Sequence, residues 1–420
     1  MYQKTVLPSG LRVVTEKIPG VRSAALGIWV TVGSRHETET ENGISHFIEH
    51  MAFKGTESRS ALEIARTIEQ GGGMINAFTG KELTCFHVHV LDERLGEALD
   101  LLADILGHSQ LDPTEIEKEK QVILDEIRDH ADQPDDVVHE SFLKALFAPH
   151  PLSRPILGPP ENVRNFTRED LLRFTGSHYE PKRMVVAAAG HVSHVRLVRD
   201  VEEALIFRGR ARRLSAPRIP RLKPKLLREK KPIQQAHMVI GTRGVSFADP
   251  ERYALSVMNT VLGGGMSSRL FQNIRERHGI AYTVYSFAET LRDTGIWGVY
   301  LATDRNRLDR ARSMVLHELE VMRKQPLTKA ELVGVKTQLK GNTMLALENV
   351  SARMMRLARM EIYLGRYHTL DDVTRRIDAV TPSRVQTLAR RLLREQTLVT
   401  AILEPKPRSA REGKQKSRER

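Results

Sequence analysis

Gly43-Ile44-Ser45-His46-Phe47-Ile48-Glu49-His50-Met51-Ala52-Phe53 is the stretch from which the rest of the chain can be read. On a helix, residues three and four apart are neighbours, so His46, Glu49 and His50 share one face. Two imidazoles one turn apart can grip a Zn²⁺ at about 2.0–2.1 Å each. Glu49 beside them can then take a proton from a water that the metal activates. The pattern is short, and a surface helix with two chance histidines would look the same. It needs a third ligand from elsewhere, since catalytic zinc usually takes three protein ligands.

Outward from that helix, strands are expected at 11–15 and 24–33 before it. A helix at 61–70, strands at 74–79 and 84–91, and helices at 92–107 and 113–130 follow it. A strand at 184–189 and a helix at 197–206 close the first half. The second half repeats the order loosely, with a strand at 237–241, helices at 253–262 and 268–277, and strands at 282–287 and 298–302. Long helices at 306–323 and 329–347 and a strand at 398–403 complete it. Two halves with one element order indicate duplication of an α+β unit. Met354, Met355 and Met360 with Leu357 read as the core face of a further helix.

The third ligand is sought on the helix that starts at Asp112 and Pro113, an N-cap and first-turn pair. Glu119 and Glu126 lie seven apart, nearly two turns, and so share one side. One can ligate while the other orients a ligand histidine. Spacing alone does not choose among Glu115, Glu119 and Glu126.

The chain has 420 residues, 40% hydrophobic and 28% charged, an ordinary globular composition with no run long enough to span a bilayer. The net charge is +13, but it is concentrated. Residues 208–231 carry eleven Lys/Arg against Glu229, and residues 406–420 carry seven against Glu412 and Glu419. Pro217, Pro220, Pro224 and Pro232 punctuate the first of these stretches, which reads as a linker. The organisation expected is a domain at 1–207, a basic Pro-rich linker at 208–232, a second domain at 233–405 and a basic tail at 406–420. Neither basic stretch has the interleaved aromatics that stack bases, so nucleic acid is not expected as a partner. The opening residues lack an apolar signal core, and the single cysteine, Cys85, suits a reducing compartment. The expected setting is the cytoplasm, away from a membrane. Cys85, His87 and His89 alternate along one strand face and read as surface neighbours rather than a second metal site. Gly71–Gly73 and Gly263–Gly265 lack the Gly-Lys-Ser/Thr ending of a phosphate loop.

Taken together, GISHFIEHMAFKGT, LPSGLRVV, GGGMINAFTGKELTCF, EKEKQVILDEI and GGGMSSRLFQNIRERHGIAYTVYS resemble the pitrilysin family of metallopeptidases, in order. They most resemble its short two-domain branch, which includes the mitochondrial processing peptidase β-subunit and bacterial homologues. Matching features run from residue 7 to 405. The resemblance implies two similar domains, each a mostly antiparallel sheet packed with helices, closing as a clamshell. It implies one Zn²⁺ per chain held by His46, His50 and Glu126, with Glu49 as the general base and Glu119 as the supporting carboxylate. Asn76, Ala77 and Phe78 would contact the substrate backbone. Arg275 and Tyr282, from the half without a metal motif, would act at the scissile carbonyl. The implied activity is zinc-dependent endopeptidase action on extended or unfolded peptides, by a chain paired as a homodimer. The alternative is a non-catalytic or regulatory subunit of a processing-peptidase-like complex, which the intact motif residues argue against.

Overall fold

The computed structural model describes residues 1–206 and 217–406. The chain forms two compact α+β units. One comprises Met1–Asp129, Phe147–Pro220 and Thr337–Asp378; the other comprises His130–Leu146, Arg221–Lys336 and Ala379–Arg420. The strands in chain order are β1 (Tyr2–Val6), β2 (Arg12–Lys17), β3 (Ser23–Val30), β4 (Met74–Thr79), β5 (Thr84–Leu91), β6 (Met184–Gly190), β7 (Lys225–Lys231), β8 (Ala236–Gly244), β9 (Thr283–Thr290), β10 (Gly295–Thr303) and β11 (Val399–Pro405).

The first unit is built on a sheet in the order β1-β2-β6-β3-β5-β4, and the second on a sheet in the order β7-β11-β8-β10-β9. Each is antiparallel except for one pair, β2 with β6 and β7 with β11. With β1 set aside, the two sheets follow the same path, and the parallel pair falls at the same place. The duplication expected from element order is therefore present in the strand connectivity as well.

The central strands of the first sheet are apolar throughout because both of their faces are covered. Leu26, Ile28 and Val30 of β3 pack with Ile44, Phe47 and Ile48 of the helix Ile44–Met51. Ala25 and Trp29, on the opposite face, pack with Cys85 and with Met354, Leu357 and Ala358 of the helix Val350–Leu364. That helix lies close: a Cβ added at Gly27 would stand 2.9 Å from the Met354 sulfur. Met354, Leu357 and Met360 are buried, as their helical spacing predicts. In the second unit, Phe142 of the helix Pro134–Phe147 is fully buried and meets Phe287 of β9 edge-on. Arg243 of β8 donates to the Leu146 carbonyl at 2.7 Å. Each sheet is thus covered on one face by a helix from the other half of the chain. A linear division at 1–207 and 233–405 keeps these two helices with their chain neighbours; the fold exchanges them.

The stretch read as a linker also differs. Residues 208–216 lie outside the described residues, as does the tail from 407. Lys225–Lys231, however, is strand β7, paired on one side only, with β11. Pro224 and Pro232 flank this strand rather than interrupt it, and an edge position tolerates them. Its exposed Lys225, Arg228 and Lys230 guard the open edge against further pairing. The helix expected at 268–277 contains a π-helical segment, Phe271–Arg277. Among the described residues, no helix is long and apolar enough to cross a membrane.

Candidate metal centre

The helix Ile44–Met51 begins at Gly43, whose φ of +102° is in the region that favours glycine. A Cβ there would also stand 2.7 Å from the Leu157 carbonyl oxygen. Gly43 has no side chain to cap the helix, and the buried Glu37 does so instead. Its carboxylate accepts from the amides of Gly43 and Ser45 at 2.9 and 3.0 Å and from Asn42 Nδ2 at 2.9 Å. A negative group at this terminus suits the helix dipole. Burial pushes the Glu37 carboxyl above the usual range, although those three donors work against it.

One turn into this helix, His46 and His50 bring their rings to 4.5 Å between centroids. The second helix, Pro113–Asp132, starts where Asp112 Oδ1 accepts from the amides of Thr114 and Glu115 at 2.8 and 3.2 Å. It carries Glu126 to the histidines, with Glu126 Oε2 at 3.6 Å from both His46 Nε2 and His50 Nε2. Glu119 faces the other side of His50, its Oε1 at 2.8 Å from Nδ1. Lys54 Nζ holds the second Glu119 oxygen at 2.5 Å. Glu115 pairs instead with Lys118, at 2.6 Å on the surface. The three glutamates that spacing could not separate are therefore separated by what each one faces.

Ligand atoms from His46, His50 and Glu126 all lie within 4.8 Å of one another, and they form the one such group of three among the described residues. Two ligands of a tetrahedral zinc at about 2.0–2.1 Å stand about 3.3 Å apart, close to the 3.6 Å seen here. Glu126 Oε2 is buried and has no hydrogen-bond donor. A carboxylate oxygen in that state is costly unless a cation meets it. Burial, with the charge of His50 nearby, pushes His46 down to about 3, which keeps its lone pair free for a metal. Burial also works downward on His50, but the hydrogen bond and charge of Glu119 outweigh it and raise its value. The opposite holds for Glu119, where the His50 and Lys54 contacts overcome burial and lower it. These residues fit a divalent zinc. His46 Nδ1 has no protein partner, in contrast to His50 Nδ1.

Glu49 lies on the same helix, and its Oε2 accepts from Thr79 Oγ1 at 2.6 Å. Burial raises its carboxyl, against the opposing pull of Thr79 and His50. Thr79 ends β4, the outer strand of the first sheet, which also carries Asn76, Ala77 and Phe78. Asn76 and Phe78 are exposed, while Ala77 packs into the core beside the metal helix. The Ala77 amide is met by the Asn76 side chain at 2.8 Å. Arg275 and Tyr282 belong to the second unit. There the Arg275 guanidinium stacks on the rings of Phe271 and Tyr282 at 4.7 and 4.4 Å, and Tyr282 is 75% exposed.

Cys85 is fully buried, not a surface neighbour, because its strand face is covered by the helix Val350–Leu364. Burial drives its thiol far above the ordinary value, which leaves it inert. His87 and His89 on the same face are half-buried. Glu37, Lys54 and Thr79 escaped the sequence reading. Lys54 and Thr79 stand inside the quoted segments, but nothing in their spacing marks them.

Residues 12–160 match the sequence pattern described as insulinase (peptidase family M16), and residues 165–339 match the one described as peptidase M16 inactive domain. An uncharacterized zinc protease of Bacillus subtilis, YmxG, is 41% identical, covering 96% of this chain and 98% of its own length. An uncharacterized zinc protease of Streptomyces coelicolor is 40% identical, covering 95% and 89%. Among solved structures, a protease from Helicobacter pylori shares the fold with a TM-score of 0.91 at 22% identity, covering 96% of this chain and 99% of that one. With relatives this similar along nearly the whole chain, and with both halves matched in order, the chain belongs to peptidase family M16, the insulinase or pitrilysin family.

Proposed function

We propose that this protein is a zinc-dependent endopeptidase that hydrolyses peptide bonds in extended or unfolded peptides. The observation that carries the reading is the convergence of His46, His50 and Glu126, with Glu49 on the same helix. Bound zinc would supply Lewis acidity for the scissile carbonyl and the water. Glu49 accepts a proton from the attacking water and later delivers it to the leaving amine. Its raised carboxyl brings it nearer to neutral pH, where a base of this kind works best. Glu119 holds His50 at Nδ1, which sets the direction of Nε2. The open edge of β4 at Asn76, Ala77 and Phe78 offers main-chain pairing to an extended peptide, a mode that depends little on side-chain identity. The same reading includes a two-chain assembly and a cytoplasmic setting, which the single buried cysteine suits.

The test is cleavage of a quenched fluorescent peptide by the wild type and by Glu49→Gln, with metal content measured on both. Cleavage by the wild type alone, with about one zinc in each chain, supports the reading. Zinc in both chains with no cleavage of a varied peptide set favours a non-catalytic subunit. A wild type purified without metal overturns the site.

A further inference from the structure

We propose that Thr79 is a positioning residue for Glu49, tying the base to the strand that would receive the peptide. The inference rests on the hydrolase reading above and adds a residue to it. A glutamate side chain is long, and its carboxylate can turn, so a base of this type is useful only if something fixes which oxygen faces the site. Thr79 Oγ1 takes Glu49 Oε2 at 2.6 Å. Oε1 has no hydrogen-bond partner among the described residues, so it is the oxygen left to take a proton.

Thr79 is itself well fixed. It is the last residue of β4, paired with Thr84 across the hairpin. The next residue, Gly80, donates to the Leu83 carbonyl at 2.8 Å and accepts from the Ser34 amide at 3.2 Å. A β-branched side chain on such a backbone has few rotamers, so its hydroxyl is pre-set. Asn76, Ala77 and Phe78 lie on the same strand, so a peptide pairing with β4 would bear on the element that holds the base. Thr79 acts only through Glu49; it has no hydrogen bond to His46, His50 or Glu126.

The experiment compares Thr79→Val, which keeps the shape and loses the hydroxyl, with Thr79→Ser, which keeps the hydroxyl. Thr79→Val is expected to lower kcat roughly ten- to a hundred-fold with KM within about twofold, the size of one lost hydrogen bond to a charged group. Zinc content should match the wild type, and Thr79→Ser should recover most of the loss. Crystal structures of the metal-free proteins supply a readout apart from turnover. The Glu49 carboxylate should keep one orientation in the wild type and Thr79→Ser and lose it in Thr79→Val. A Thr79→Val enzyme with wild-type kcat, a change confined to KM, a Thr79→Ser no better than the valine, or an unmoved Glu49 overturns the proposal. Loss of zinc or of the fold in Thr79→Val would make Thr79 structural and overturn it too. A zinc-loaded wild type that cleaves nothing is a different result: the hydrolase reading falls, and this proposal falls with it.

Discussion

Lys54 Nζ stands 2.5 Å from Glu119 Oε2, while the other oxygen of Glu119 stands 2.8 Å from His50 Nδ1. A surface-reaching cation, a buried carboxylate and a candidate ligand histidine thus form one line. The Glu119 side chain is 4% exposed and that of Lys54 is 32% exposed. Removing the lysine leaves the carboxylate short of a partner in a place where water does not fully replace it.

Lys54→Met should therefore weaken zinc binding by roughly ten-fold, the lower end of what loss of a supporting contact around a metal ligand costs. Lys54→Arg should retain most of the affinity, because the charge is kept. Competition with a chromogenic chelator measures both. Equal affinity in Lys54→Met and the wild type would show that Glu119 holds His50 without help.

Metal removal should destabilise the fold, because the three ligand groups are brought together only when folded. A ligand that binds the native state alone adds about 4 kcal/mol when present at a thousand times its dissociation constant. Chelator should thus lower the Tm of the wild type by several degrees and leave that of Glu126→Ala unchanged. A wild type indifferent to chelator would mean that the cluster holds no metal of consequence.

Much of this arrangement was readable before the structure, and the unread part has a physical pattern. The histidine helix and the strands Met74–Thr79 and Thr84–Leu91 carry local signals, namely ligand spacing and apolar runs bounded by turns. Spacing does not tell Glu119 from Glu126, because both sit on one face of one helix and only their partners differ; the family resemblance alone assigns them. The helix Pro134–Phe147 is not legible in the sequence because its buried residues are satisfied by a sheet far away in the chain. β7 reads as linker in the sequence because prolines act as breakers whether they interrupt a strand or bracket it. Thr79 looks like any strand threonine until Glu49 is placed beside it.

Two opposed contributions to the pH response of the metal-free fold can be signed from His46 and His50. Folding pushes His46 down to about 3, so the unfolded chain binds a proton that the folded chain refuses. Stability should fall as the pH drops below about 6.5, the ordinary imidazole value, and continue to fall toward 3. His50 has the opposite sign: its value is raised, so its contribution is complete below the ordinary imidazole value and is lost as the pH rises through the raised one. Between about pH 6 and 5 the His46 share of the slope is at most about 1.4 kcal/mol per unit, and a comparison with a variant lacking His46 isolates it from the other histidines. Urea unfolding of chelated wild type and His46→Gln at both pH values should show the wild type losing about 1 kcal/mol more. Parallel losses in the two proteins would show that His46 is not held neutral by burial.

The exchange of helices between the two halves makes a prediction that a linear division of the chain contradicts. The chain has two tryptophans, Trp29 and Trp297, both buried, one in each unit. Trp29→Phe and Trp297→Phe backgrounds therefore report one unit at a time. Met354 is fully buried against the sheet that holds Trp29. Met354→Ala should cost about 2–5 kcal/mol, as large-to-small changes in a core do. The loss should appear in the Trp29 transition, although Met354 lies in the later half of the sequence. Phe142 is fully buried against the second sheet, so Phe142→Ala should move the Trp297 transition by a similar amount. Met344, half exposed in the helix Lys329–Ala346, is the control, and its change to alanine should stay within about 0.5 kcal/mol. Fluorescence-detected urea unfolding in each background gives the answer. If Met354→Ala acted on Trp297 and Phe142→Ala on Trp29, each helix would stabilise the half of the chain it is joined to, not the sheet it covers.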